Sequence, residues 1–245
     1  MTKKLIALLL FVTTISMAQE KALLRLNYEK GDAFVVKMKM NQVVEGAMEM
    51  NIGMNMEMDI KDVQDGVYSS EMSFKNTSID MIMAGQTMSY NSDMKEEEMD
   101  PFAKGAHGQM KTLLETVAMF KYNEFGEITE TKIISGSGDV SKFKENNNSI
   151  VYPKEAVTVG MEWKDSKTTS EGVNTNFVYK VTSIKKDKVL LDVTGTVGGI
   201  AKGDIKGTAT IDRATGTIDI MDILMNMDIM EKKMKSNIKI TTEKK

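Results

Sequence analysis

The 245-residue chain has no cysteine, two prolines, one histidine and one tryptophan. Without cysteine there is no disulfide framework, no thiol nucleophile, no thiolate metal site, and no residue at which an exported chain could be acylated as a lipoprotein. With His107 as the single imidazole, no His-Glu-x-x-His zinc motif can exist. Gly-x-Ser-x-Gly and the phosphate-binding loop are also missing. A basic surplus is lacking too: 32 Lys and Arg stand against 35 Asp and Glu, a formal net charge of −3. Binding to nucleic acid or to anionic headgroups therefore has no electrostatic support. The expectation is a protein that is not an enzyme, takes no cofactor and binds no nucleic acid.

Long hydrophobic runs are scarce. The clearest spans Leu5 to Val12, follows Lys3 and Lys4, and leads to Ser16-Met17-Ala18 before Gln19. That order of charge, apolar stretch and small residues is a secretory signal, so residues 1–18 are expected to be removed and the protein to be exported. The periplasm is the first expectation and the exterior the second. Removing Lys3 and Lys4 would take the net charge from −3 to −5. No other run is long enough to suggest a transmembrane segment. No linker divides residues 19–245, which are expected to form one domain.

Methionine is abundant, with 23 residues. The stretch MEMNIGMNMEM places Met48, Met50, Met54, Met56 and Met58 at even positions with Ile52, while Glu49, Asn51, Asn55 and Glu57 fall at odd ones. Successive strand residues point to opposite faces, so this is a half-buried strand with one methionine face. The same phase is kept by Met38 and Met40 before it and by Met72 and Phe74 after the turn Gln64-Asp65-Gly66. A further hairpin is expected at Ala84-Gly85-Gln86.

Period-two alternation predicts strands over 22–91, beginning with Leu24, Leu26 and Tyr28, and again over 155–242. Between them lies a helical insertion over about 103–150. Met110, Leu113, Leu114 and Val117 recur at helical spacing and predict a short helix near 107–118, preceded by a glycine-rich loop that carries His107. A second short helix is expected from Asp139, using Val140 and Phe143. Val157 to Lys167 is expected to be one strand. Within Ile218 to Met230 the apolar residues change from even to odd, which predicts a β-bulge or a strand covered on both faces. The expected fold is mainly β: a strongly curved antiparallel sheet or open β-barrel, with one or two short helices as lid or plug.

Two motifs imitate ligand sites. Gly136-Ser137-Gly138 follows an apolar run, but the third glycine position holds Ser141 and no βαβ repeat surrounds it, so it is expected to be a loop. Glu96, Glu97, Glu98 and Asp100 lack the alternating spacing and turn glycine of a calcium loop, and a solvated acidic loop is expected.

Three explanations of the methionines remain open. They can be plain core, each contributing roughly 1.5 to 3 kcal/mol by burial. They can line a cavity for a lipid-like or other apolar small molecule, because an unbranched, polarizable chain repacks around variable guests. Lining residues would be Met38, Met40, Met48, Met50, Met54, Met56, Met58, Met72 and Phe74, with Leu113 and Val117 on the helix as lid. Thirdly, thioethers select soft ions such as Cu(I) or Ag(I), and Met54, Met56 and Met58 form the longest Met-x-Met series. The cavity is the preferred expectation, with soft-metal binding and a structural envelope protein as alternatives.

Pro153, the segment Val157-Thr-Val-Gly160-Met-Glu-Trp163, Gly203, Gly207 and Asp212-Arg213-Ala214-Thr215-Gly216-Thr-Ile218 together resemble an uncharacterised secreted family of Gram-negative bacteria. The resemblance implies export and a shared fold but no activity. The order of strands, helical plug and further strands is more remotely similar to the periplasmic lipoprotein-carrier fold, an open β-barrel that shelters acyl chains. That comparison transfers no site residue.

Overall fold

The computed structural model describes residues 20–139, 149–170, 172–229 and 232–245. The expected signal segment and the second expected helix, with Val140 and Phe143, lie outside them.

Alternation dictates a sheet, and the turns fix its register. β1 (Lys21–Ala22) is followed by the long strands β2 (Ala33–Val44), β3 (Met48–Gln64) and β4 (Val67–Met83), then by β5 (Gln86–Asn91). Asp65 and Gly66 both take positive φ, 49° and 76°, as do Ala84 and Gly85 at 51° and 78°. Two successive positive φ angles make the tight turns whose twist suits a two-residue hairpin, so β3–β4 and β4–β5 pair directly. Where the sequence suggests separate runs around Phe74 and Ile79, β4 is continuous; a register shift opposite Asn55 and Met56 absorbs one residue and keeps the apolar side chains on one face.

The helix α1 (Pro101–Leu114) starts earlier than expected. Asp100 caps it, its Oδ1 accepting from the Ala103 N–H at 2.7 Å, and Pro101 at the first helical position supplies a suitable φ. His107 is therefore a helical residue and not a loop residue. The chain leaves the helix at Glu115, so Val117 opens β6 (Val117–Tyr122), which pairs with β7 (Ile128–Ser135). The Gly136-Ser137-Gly138 loop folds back on the helix end, with the Gly138 N–H donating to Thr116 Oγ1 at 3.1 Å.

The expected strand over Val157 to Lys167 is two: β8 (Val157–Thr158), paired with β1, and β9 (Glu162–Thr168). The meander then runs through β10 (Val173–Ile184), β11 (Lys188–Gly199), β12 (Ala201–Asp212), β13 (Ile218–Ile229) and β14 (Lys232–Lys244). The phase change in β13 is a bulge: Ile211 pairs with Ile218 but Thr210 pairs with Ile220, leaving Asp219 as the extra residue. Met221 and Ile223 consequently point into the core at 3% and 4% exposure while Ile220 faces out at 44%.

The twelve-stranded antiparallel sheet runs β7-β6-β4-β3-β2-β14-β13-β12-β11-β10-β9, with β5 added beside β4. It is not closed into a barrel, but it is curved. Phe120 and Tyr122 from β6 share one buried cluster with Phe177, Tyr179 and Val181 from β10, near the other end of that order. Strands so far apart can meet through one face only if that face is concave. Glycines permit the bend: a Cβ at Gly203 or Gly207 would press into the carbonyl oxygen of Asn226 or Asp222 on the neighbouring strand.

Residues 23–28, expected as a strand, are extended but make no ladder. They cross one end of the curled sheet, and their backbone donors go to turns instead: Leu26 N–H to Glu124 O at 2.8 Å and Asn27 N–H to Thr215 O at 2.9 Å. Leu24, Leu26 and Tyr28 still alternate inward, all buried. Arg25 fastens this plug, donating from Nη1 to the carbonyls of Leu24 and Pro153 at 2.6 and 2.7 Å and from Nη2 to that of Lys154, above the Phe125 ring. Tyr152 closes the same end by donating to Gly216 O at 2.8 Å.

Candidate functional site

Register assembles the methionines into a surface. Across β2, β3 and β4, Val44, Met48 and Met83 are opposite one another; then Gln42, Met50 and Met81; then Met40, Ile52 and Ile79; then Met38, Met54 and Thr77; then Val36, Met56 and Phe74. β5 extends two of these rows with Met88 and Tyr90, and β14 extends others with Met234, Ile238 and Ile240. Strand neighbours in register lie about 4.5–5.5 Å apart between Cβ atoms, so each row is a line of touching side chains.

This face is the concave one that elsewhere forms the core. The row through Gln42 continues across Ser236, Met225, Ile205 and Gly195 to Phe177. Ile205 is 1% exposed and Phe177 7%, whereas Met50, Met81 and Met88 are only half-buried. Met58, at 7% exposure, is in the main core, and Met72 packs against it. Met38, Met40, Met48, Met50, Met54, Met56 and Phe74 belong to neither buried cluster and stay half-exposed.

Of the expected lid residues, Leu113 is on α1 and half-buried, but Val117 is not on the helix. It pairs with Ser73 on β4, and alternation points it away from the face carrying Ala118 and Phe120. The helix instead packs through Ala103, Ala106, Phe102 and Met110 over Tyr90 and Ile79, joined by Met94 and Met99. His107 Nδ1 lies 3.3 Å from the Tyr90 hydroxyl. The fold thus seats His107 beside Tyr90, two residues from Met88.

The opposite face is polar. Two open depressions lie there, one lined chiefly by Lys39, Asn41, Asn51, Asp80 and Asn237, the other by Glu45, Lys202, Asp204, Asp228, Lys233 and Lys235. Opposite charges pair across its strands, as in Lys75 with Glu57 at 3.3 Å and Lys61 with Glu71 at 3.2 Å. On that side the sheet is solvated and ion-paired, so an apolar guest would meet charge.

A partly buried polar group missed from the sequence is Lys167, on the inward face of β9. Its Nζ donates to Ser149 O at 2.9 Å, and burial pushes its pKa down while Asp165 opposes that shift. An inward charge on an edge strand discourages further strand pairing. Alternation of Trp163, Asp165 and Lys167 along 162–168 was the available signal.

Among the described residues, no helix is long and apolar enough to cross a membrane and no three His, Cys, Asp or Glu side chains gather as metal ligands. No protein-family model matches the chain, and no curated protein matches it.

Proposed function

We propose that the protein is a non-enzymatic binding or carrier protein, acting after export, that holds a lipid-like or other apolar molecule against the methionine face. One observation carries this reading: the concave face is free of methionine over β10 to β12, where it is fully buried, and rich in methionine over β2 to β5, where most of it is half-exposed. β10, β11 and β12 contain no methionine, whereas β3 alone contains five. A fixed core gains nothing from that change, because methionine loses about 1.5–2 kcal/mol of side-chain entropy on burial against about 0.5–1 for Ile or Leu. A face that must fit guests of different shape does gain from it. An alkyl chain laid across the rows from Val36, Met56 and Phe74 to Met40 and Ile52 would complete their burial, with α1 flanking it as a lid. The similarity in layout to the lipoprotein-carrier fold belongs to this proposal.

Native mass spectrometry of protein purified gently from its own cell envelope tests the reading. The expected result is a heterogeneous added mass that organic solvent strips away and that a Met54→Asp/Met56→Asp variant lacks. A folded double variant that keeps the same added mass, or a wild-type protein with none, would overturn it.

A further inference from the structure

The geometry points to a soft-metal site near the tips of the β2–β3 and β4–β5 hairpins, in which the thioethers of Met50, Met81 and Met88 hold one Cu(I) or Ag(I) ion. Met81 is in direct register with Met50 on one side and with Met88 on the other. One position outward, Met48 faces Met83 in the same way. Five sulfurs of β3, β4 and β5 thus occupy two adjacent rows of one face, and three of them form an unbroken line over three strands.

Cross-strand position is what makes the site chemically reasonable. Along a strand, residues two apart are separated by about 6.4–6.8 Å, so the Met54, Met56 and Met58 series does not bring its sulfurs together unaided. Met58 is moreover 7% exposed and committed to the main core. Across strands the spacing is about 4.5–5.5 Å between Cβ atoms, and unbranched Met50 and Met88 can both lean toward Met81. Three convergent thioethers make a neutral, polarizable donor set.

Such a set discriminates strongly. Thioethers favour soft monovalent copper or silver, whereas zinc takes thiolate, imidazole or carboxylate. Met50, Met81 and Met88 are half-buried and Met83 is 46% exposed, so an ion reaches the sulfurs from solvent. The row beneath is fixed: Tyr90, 1% exposed, and Ile79 are clamped under α1, which holds the β4 and β5 backbones that carry two of the ligands.

The site is independent of the apolar-ligand proposal and is tested separately from it. Leucine matches methionine in volume and polarity but has no sulfur, so Met50→Leu/Met81→Leu/Met88→Leu retains the apolar face and removes the donors. Silver nitrate would be titrated into the purified protein with the methionine methyl groups isotopically labelled and followed by NMR. Saturable uptake of one ion is expected, with the largest shifts at Met50, Met81 and Met88, smaller ones at Met48 and Met83, and none on adding zinc sulfate. The triple variant is expected to bind at least tenfold more weakly with its melting temperature preserved, while Met54→Leu/Met56→Leu binds as wild type. Equal binding by wild type and triple variant, shifts spread over every methionine, or loss confined to the Met54/Met56 variant would each overturn the assignment. If the triple variant melts early, the methyl shifts of the wild-type protein still decide.

Discussion

β2 to β5 and β10 to β12 belong to the same sheet and turn the same concave face inward, yet they solve different problems with it. In β11, Val189, Leu191 and Val193 are at most 1% exposed, and their stiff or compact side chains pack into one cluster with the plug of residues 23–28. In β3, Met48, Met50, Met54 and Met56 occupy equivalent positions of the pleat but remain half-exposed. In these two strands the side chains differ with cover although the secondary structure is the same. β-branched residues suit a strand whose surroundings never change, and methionine suits a face whose surroundings can.

The largest effect expected on this contrast is at alkaline pH, and it falls on the packed region. Burial pushes the Tyr28 hydroxyl up to about 12, a hydrogen bond with Thr217 opposing the shift, and burial likewise raises Tyr122, Tyr152 and Tyr179. The folded protein holds these protons to a higher pH than the unfolded chain, whose tyrosines ionise near 10. Their contribution is complete below pH 10 and is lost as the pH rises above it. Urea midpoints measured from pH 8 to 12 should be level up to 10 and then fall steadily. A flat profile across that range would mean that the plugged end does not bury its tyrosines.

Truncation compares the two regions directly. Leu191→Ala should cost about 2–5 kcal/mol, as for a fully buried leucine that leaves a cavity. Met54→Ala removes a comparable side chain from a half-exposed position and should cost about 1 kcal/mol, half of what full burial would give. Urea denaturation of both variants measures the difference, and equal losses would make the methionine face ordinary core. Gly207→Ala should fall between them at about 1–3 kcal/mol, since a Cβ meeting the Asp222 carbonyl forces the strands apart where the sheet bends.

Much of this contrast was legible in the sequence, because alternation is a local signal. The even-numbered stripe, the Asp65-Gly66 and Ala84-Gly85 turns and the phase change in β13 each follow from residues adjacent in the chain, and each recurs in the fold. Long-range relations were not legible. Leu24 to Tyr28 has a strand's pattern, but its backbone bonds go to Glu124 and Thr215, and nothing local encodes that choice. Val117 fits a helical period, yet the helix ends at Leu114 and Val117 pairs with Ser73 and Ser135 in the sheet, partners that lie far from it in the chain. For the methionines, sequence gives the face but not the row. The alignment of Met50, Met81 and Met88 depends on two hairpin registers at once.

The smallest expected effect on stability is the most informative about function. Replacing Met38, Met40, Met54 and Met56 together by isoleucine keeps the face apolar and strengthens strand propensity, which spans about 1 kcal/mol from its best to its poorest residues. Denaturation should therefore show a change of about 1 kcal/mol or less, without loss of fold. Binding should respond differently. Isoleucine is stiff at χ1 and cannot repack around a variable guest, so the mixture of bound apolar molecules seen by native mass spectrometry should narrow to the few that fit one shape. If the isoleucine protein is far less stable, those four methionines are shape-matched core. If it is equally stable and carries the same mixture as wild type, adaptability was not why methionine stands there.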